Sequence, residues 1–564
     1  MSVFAPVQPR LHALKSGIST RAIAIAWIFA GLSLFCFLER PPVQRTQEAR
    51  VLETARQMRG TGWQGWLLPK INGSLRLQKP PLAYWTAAIS YDLTGRVNNF
   101  VGRAPTAIFG WLTLGITFAT ANWLFDRRTA CLSAGCLLCS YLFFRHERLA
   151  ETDAPAALFV TLAVFSWWKA VDRPGAGASL WFNVGAVATA LAVLFKGGPG
   201  AFPPLFLVTL ICLRRRWGAF VDFARSGAPL VLVALALPWF VYARESADAR
   251  QFRGEVDDLF SGNDHYAAFY NYFHLLLRAS LPWVLLMPAA VVAAAWPALR
   301  SAAARVRGTW NESDREALEN WMASPNAGLI AWPLVIFVPL CLIGNKQFHY
   351  LLPMMPPLMI LVGRFLDRSI PNEGRRVPPI TGALVDATLL LLPLIAAPLI
   401  FVGVRRTTGI VTSLDYALVG GIGTALVFVA IAYLSRGRLA AVVVYLFACG
   451  MLLPVTVGIW IPSTEPDNPL RLAHQVRAQL GDGPFIFYGR NYSLPLCYHL
   501  RMAIPTARTP EELEAEVARS PGLIVIGQTK NRRGPPPMPP GFVEIWKVTE
   551  SGQVLDFYRA SRAP

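Results

Sequence analysis

The sequence predicts an α-helical polytopic membrane protein of about 13 transmembrane helices with a small C-terminal α/β domain. Three observations carry that expectation. Hydrophobic residues fill 54% of the 564 positions and charged residues only 15%, against roughly 25% in soluble chains. The apolar residues fall in runs that approach the ~20 needed to cross a bilayer, centred near residues 23–38, 104–125, 129–144, 154–170, 180–195, 201–213, 228–243, 279–299, 328–343, 350–365, 380–403, 416–434 and 439–461. After about residue 462 the pattern changes to short alternating segments.

The first run follows Arg10, Lys15 and Arg21 and has no small-residue cleavage site before Glu39, so it reads as an uncleaved anchor. Arg127 with Arg128, Lys169 with Arg173, Arg214 to Arg216, Arg300 to Arg307, Arg375 with Arg376, and Arg436 with Arg438 fall on alternate loops. With the N-terminus inside, all of these are cytoplasmic. An odd number of spans then puts the tail outside a bacterial-type cytoplasmic membrane. Two basic regions fall on the outer side: Arg405 with Arg406, and the long first loop, about residues 39–103. Long loops are read weakly by the charge rule, and a phosphate-binding loop needs such charges for its own reasons.

The net charge of +19 follows from these loops. Nucleic acid is excluded as a partner, because the basic residues lie between apolar runs and not along one polar domain. Seven of the eight cysteines lie in apolar runs and Cys497 has no polar-region partner, which argues against a disulfide framework. In the tail, residues 462–564, Phe485 to Tyr488, Leu523 to Ile526, Phe542 to Val548 and Val554 to Tyr558 read as strands. Thr509-Pro510-Glu511-Glu512 reads as a capping box that opens a helix to about Arg519, and Pro535 to Pro540 reads as a surface loop.

Residues 46–85 are the informative stretch. Val51, Leu52, Ala55 and Met58 make one apolar face, with Gln47, Glu48, Arg50, Glu53, Arg56 and Gln57 polar. Such a helix can lie in the interface plane and present charge to head groups. It can equally be a packing helix with charge pairs such as Arg50–Glu53. Asn72-Gly73 is a turn signal. Gln78-Lys79-Pro80-Pro81 then leads to Tyr84-Trp85, and the two prolines hold Lys79 on a stiff extended segment. A lysine so placed is a point charge suited to phosphate, or an interfacial lysine that snorkels.

The order Gln47-Glu48-x-Arg50, Glu53-x-x-Arg56-x-Met58, Asn72-Gly73 and Lys79-Pro80-Pro81-x-x-Tyr84-Trp85 resembles the first outer loop of the aminoarabinose transferases of lipid A and their protein O-mannosyltransferase relatives, which are GT-C class integral membrane glycosyltransferases. Arg148 to Asp153 resembles their second outer loop, and Phe195-Lys196-Gly197-Gly198-Pro199 resembles their Thr-Lys-Gly-Pro loop with one extra glycine. Leu237-Pro238-Trp239 and Leu281-Pro282-Trp283 resemble the flanks of a long outer loop. Asn345-Lys346 with His349-Tyr350-Leu351-Leu352-Pro353 resembles their Lys-x-x-x-Tyr-x-Leu-Pro segment. The resemblance covers about residues 20–460.

It implies a GT-C transmembrane domain over residues 1–461, with an extracytoplasmic α/β domain over 462–564. It also implies transfer of a sugar from a polyprenyl-phosphate (undecaprenyl-type) donor to a lipid A-like, glycan or protein acceptor. Arg50, Lys79, Lys196 and Lys346 are expected at the donor phosphate, and Asp153 with Glu48 at the acceptor nucleophile. Glu151, Gln47, Tyr84 and His349 are further candidates. The family usually has Asp where this chain has Gln47, and Gln is neither a base nor a good metal ligand. Asp153 is therefore expected to carry the role, assisted by Glu48.

Each residue also has a plainer reading. Asp153 can be a helix cap, Lys196 part of a tight turn, and His349 an interfacial histidine. Glu255, Asp257, Asp258, Asp264 and His265 have no metal spacing and read as a solvated face. The pattern fixes no cofactor, and a divalent metal is compatible with it. A competing class is a transporter or flippase for polyprenyl-linked sugars, which would show internal repeats and helices broken at midplane. No convincing repeat is present. A membrane-anchored interaction protein would not need so many spans.

Overall fold

The computed structural model describes residues 18–175, 177–246, 268–371, 377–408, 411–464, 468–489, 491–529, 537–550 and 553–561. Arg10, Lys15, Arg375, Arg376, the acidic group from Glu255 to His265, and Pro535 with Pro536 lie outside them.

Among the described residues, ten helices are long and apolar enough to cross a membrane: Asn99–Leu124, Asp153–Asp172, Ala178–Lys196, Ala228–Ser246, Leu286–Val306, Pro325–Leu342, Phe348–Ser369, Pro379–Ile400, Ser413–Arg436 and Arg438–Thr464. Thr20–Phe35 and Gly198–Arg214 are shorter apolar helices of the same bundle. The run predicted over 129–144 is instead two helices, Arg127–Leu138 and Tyr141–His146, broken at Cys139 and Ser140. The chain is thus a multi-span membrane protein with a small C-terminal sheet.

Tryptophan packing shows why the bundle closes. Trp167, Trp168, Trp283 and Trp332 are among the largest fully buried side chains. Lipid gives no hydrophobic drive between helices, so close packing and hydrogen bonds must hold them. Trp167 donates to the Phe182 carbonyl at 2.9 Å and Trp283 to the Cys136 carbonyl at 2.8 Å. Gly185 and Gly328 make room for these rings, since a Cβ would lie 2.2 Å from Trp167 and 2.3 Å from Trp168.

Helix direction sorts the polar segments to two ends. At one end Arg128 pairs with Asp367 at 2.9 Å, Arg214 with Asp172 at 3.2 Å and Arg438 with Asp386 at 2.7 Å. These are the basic loops that the charge pattern grouped together. The other end gathers the first loop, residues 147–152, the turn after Lys196, and residues 343–354.

In the first loop Thr46–Met58 and Leu82–Thr94 are helices, and β1 (Lys70–Ile71) pairs with β2 (Ser74–Leu75). Asn72 and Gly73 have φ of 50° and 83°, the left-handed pair that a two-residue hairpin turn requires.

The C-terminal sheet has the order β4 (Thr506–Ala507), β3 (Phe485–Tyr488), β5 (Ile524–Thr529), β7 (Gln553–Ala560), β6 (Phe542–Glu550). β3 is parallel to β4 and β5, while β7 is antiparallel to β5 and β6. Thr509 caps Pro510–Arg519 by accepting from the Glu512 amide at 3.3 Å. Helices Pro469–Leu480 and Leu494–Leu500 and strand β4 add to the elements that the sequence pattern had marked.

Helix Leu494–Leu500 packs on Thr46–Met58. Tyr498 donates to Asn99 Oδ1 at 3.1 Å, the His499 Nε2 lies 3.2 Å from the Val43 carbonyl, and Asn72 Nδ2 meets Cys497 Sγ at 3.6 Å. The first-loop helix is therefore sandwiched between protein layers. Glu48, Glu53 and Thr54 are buried along with its apolar face, as in a packing helix. Glu53 pairs with Arg56 at 2.5 Å.

Candidate active site

The site is built on a helix hairpin. Asp153–Asp172 and Ala178–Lys196 are antiparallel neighbours, so the first residue of one meets the last residue of the other. A carboxylate is favoured at a helix N-terminus and an ammonium at a C-terminus. Asp153 and Lys196 hold those two positions and form an ion pair. Gly197 has φ of +82°, which ends the helix right after Lys196. Gly200 must be glycine for a second reason: a Cβ there would lie 2.1 Å from Val193.

Residues 348–354 close the site from a third direction as a short 3₁₀ turn before Met355–Ser369. His349 Nε2 lies 3.7 Å from the other Asp153 carboxylate oxygen. The Lys196 ammonium lies 4.1 Å from the centre of the Tyr350 ring, a cation–π contact. Lys79 is half-buried on the Lys-Pro-Pro bend, and its charge reaches Lys196. Asp153, Lys196, His349 and Lys79, four of the residues nominated by the sequence, thus converge.

Glu151 joins the same cluster. Its carboxylate meets Arg45 Nε at 2.7 Å and His146 Nδ1 at 2.9 Å. Burial alone would raise its pKa, but Arg45 and His146 outweigh burial and bring it down to about 2.

The other nominated residues sit differently. Glu48 is buried and accepts from Arg103 Nε at 2.7 Å, from Arg103 Nη2 at 2.9 Å and from the Ala150 amide at 3.1 Å. With both oxygens engaged, Glu48 ties the first loop to helix Asn99–Leu124 and to the segment that carries Glu151. Lys346 donates to the carbonyls of Leu340, Cys341 and Ile343 at 3.3, 3.1 and 2.5 Å. It caps helix Pro325–Leu342 and lies 5.2 Å from the Tyr272 ring centre. Tyr84 is buried in the apolar cluster with Leu52, Ala55 and Tyr91. Gln47 and Arg50 are half-buried, one turn apart on the first-loop helix.

Three residues that sequence reasoning did not nominate belong here. Arg45 and His146 bind Glu151, as above. Glu147 is fully buried, and neither of its carboxylate oxygens has a hydrogen-bond partner among the described residues. Burial pushes its pKa well above the usual carboxylate range, and Asp153 adds to the rise. Gly110 makes the space, because a Cβ there would lie 2.6 Å from the Glu147 Cβ. The His146-Glu147 pair sits within the motif's own neighbourhood, but no spacing rule marks it.

Residues 44–247 match the family model for dolichyl-phosphate-mannose-protein mannosyltransferase. That stretch takes in the first loop, Asp153 and Lys196, but not His349. An undecaprenyl phosphate-alpha-4-amino-4-deoxy-L-arabinose arabinosyl transferase 2 of Sodalis glossinidius is 26% identical over 85% of this chain and 82% of its own length. The corresponding transferase of Erwinia tasmaniensis is 28% identical over 61% of this chain and 59% of its own length. An uncharacterized protein of Aquifex aeolicus is 30% identical over 35% of this chain and 38% of its own. The chain thus spans 38% to 59% of the length of these last two relatives.

The crystal structure of ArnT from Cupriavidus metallidurans bound to undecaprenyl phosphate superposes with a TM-score of 0.70 at 18% identity, covering 96% of this chain and 98% of that one. In the apo state the same protein gives 0.69. The chain has the ArnT fold, and it resembles the GT-C aminoarabinose transferases along most of its length and the protein mannosyltransferases over residues 44–247.

Proposed function

We propose that the protein is a glycosyltransferase that moves a sugar from a polyprenyl-phosphate donor to an acceptor at the outer face of a bacterial-type cytoplasmic membrane. The observation that carries this reading is the convergence of Lys79, Lys196, Asp153 and His349 at one end of a bundle with the ArnT fold. The relatives' names support the donor class. The basic loops around Arg128, Arg214 and Arg438, at the opposite end, support the orientation.

The reaction is a single displacement. An acceptor oxygen attacks the anomeric carbon while the bond from that carbon to the phosphate oxygen breaks. The polyprenyl phosphate leaves with the electron pair, and the transition state has oxocarbenium character. Lys79 and Lys196 stabilise the charge that builds on the departing phosphate, with Arg50 on the loop behind them. Asp153 takes the acceptor's proton once the donor phosphate draws Lys196 away from it. Glu48 positions the first loop, and Lys346 positions the 343–354 segment. The acceptor is a lipid A-like molecule, a glycan or a protein. The C-terminal unit stands beside the first loop, where an acceptor arrives.

A transfer assay in purified membranes tests this. A panel of radiolabelled polyprenyl-phosphate sugars is offered to wild type and to Lys79→Ala. Release of label by wild type, slowed on the order of 100-fold in the variant, is expected. Transport of the intact carrier without release of sugar would place the protein among flippases.

A further inference from the structure

We infer that His146, Glu151 and His349 form a binding site for one divalent transition-metal ion of the zinc class. The three come from separate segments: the end of helix Tyr141–His146, the following loop, and the 3₁₀ turn Phe348–Met354. One ligand atom from each lies within 4.8 Å of the others, and all three residues are buried. Metal–nitrogen and metal–oxygen bonds of about 2.0–2.2 Å span such a gap with small side-chain movements. Two imidazoles with one carboxylate is a ligand set of catalytic zinc sites, which leaves a coordination position open.

A second observation points to a ligand. His146 is fully buried, and its Nε2 has no hydrogen-bond partner among the described residues. A buried ring nitrogen without a partner is costly unless something fills its lone pair. The outer contacts also suit a metal. Arg45 holds one Glu151 oxygen at 2.7 Å, which aims the other at His146. Asp153 Oδ2, at 3.7 Å from His349 Nε2, is placed to serve as a fourth ligand or to hold a metal-bound water. The Arg45 guanidinium repels the metal ion and sets its affinity below that of a purely acidic site.

The inference is independent of the sugar-transfer reading, because occupancy is measured without donor or acceptor. The full chain, purified in detergent with its affinity tag removed and stripped with chelator, is titrated with Co(II). One equivalent should bind with visible d–d absorption of a four- or five-coordinate site and be displaced by Zn(II). His146→Ala and His349→Ala should each weaken binding tenfold or more, while His499→Ala, in the C-terminal unit, should leave it unchanged. Arg45→Gln should tighten it. Gel-filtration profile and melting temperature establish that each variant is folded. Wild-type protein that takes up no stoichiometric Co(II) would overturn the inference without recourse to any variant. So would a folded His146→Ala/His349→Ala double variant that binds as wild type does.

Discussion

Two buried carboxylates, Glu48 and Asp153, face the same end of the bundle and each has a cation beside it, yet they are set up for different work. Glu48 meets a guanidinium in a two-pronged pair and also accepts an amide, so both of its oxygens are held by the protein. Asp153 meets a single ammonium at the junction of two helix ends, with an imidazole at 3.7 Å and a second lysine within electrostatic range. A saturated pair holds a structure together, whereas an ion pair that a phosphate can compete for can change partner during a reaction. On the proposed function, the region around Glu48 is scaffold and the region around Asp153 is machinery.

Breaking the scaffold should give the largest effect on folding. Glu48→Ala leaves Arg103 buried without its partner, which costs about 3–5 kcal/mol. Thermal unfolding in detergent should show a strongly lowered melting temperature and poor yield. Asp153→Asn, in contrast, should fold normally and lose transfer by roughly 100-fold to 10,000-fold in kcat, measured in single-turnover assays. Lys79→Ala should lose about 100-fold with an unchanged melting temperature. Smaller effects sharpen the distinction further. Lys346→Met removes the cap of helix Pro325–Leu342 and should cost about 1–2 kcal/mol, seen as a modest melting shift with most transfer retained.

The smallest concerns pH and the C-terminal unit. Burial pushes the His499 pKa down from 6.5 to about 4. Once released from the first loop, His499 takes up a proton below pH 6.5, but docked it does so only near pH 4. Docking is thus unaffected above pH 6.5 and weakens as pH falls from 6.5 towards 4. Limited proteolysis across that range should report the release, and His499→Gln should flatten the dependence.

Much of this was legible in the sequence because it is local. The apolar runs mark the helices, Asn72-Gly73 makes the hairpin, and Lys79-Pro80-Pro81 makes a bend before a helix. Asp153 and Lys196 were readable one by one, each beside a helix end. Their pairing follows from the short hairpin between two runs of equal length. What escaped depends on distant contacts. Arg103 lies 55 residues from Glu48, at the edge of an apolar run where no pattern announces a partner. The first-loop helix has the amphipathic pattern of an interfacial helix, but a C-terminal unit some 425 residues away in sequence covers it. His146 and Glu147 carry no diagnostic spacing. The contact of Lys346 with the end of helix Pro325–Leu342 was open to reading in the sequence, since a lysine just past a helix end commonly serves its last carbonyls.

The most direct test measures melting temperature and single-turnover sugar transfer side by side for Glu48→Gln and Asp153→Asn in the same detergent-solubilised preparation. The account predicts that Asp153→Asn melts like wild type and no longer transfers, while Glu48→Gln melts lower and transfers at near wild-type rate in the folded fraction. The opposite assignment, with Asp153→Asn active and Glu48→Gln stable but inert, would contradict it.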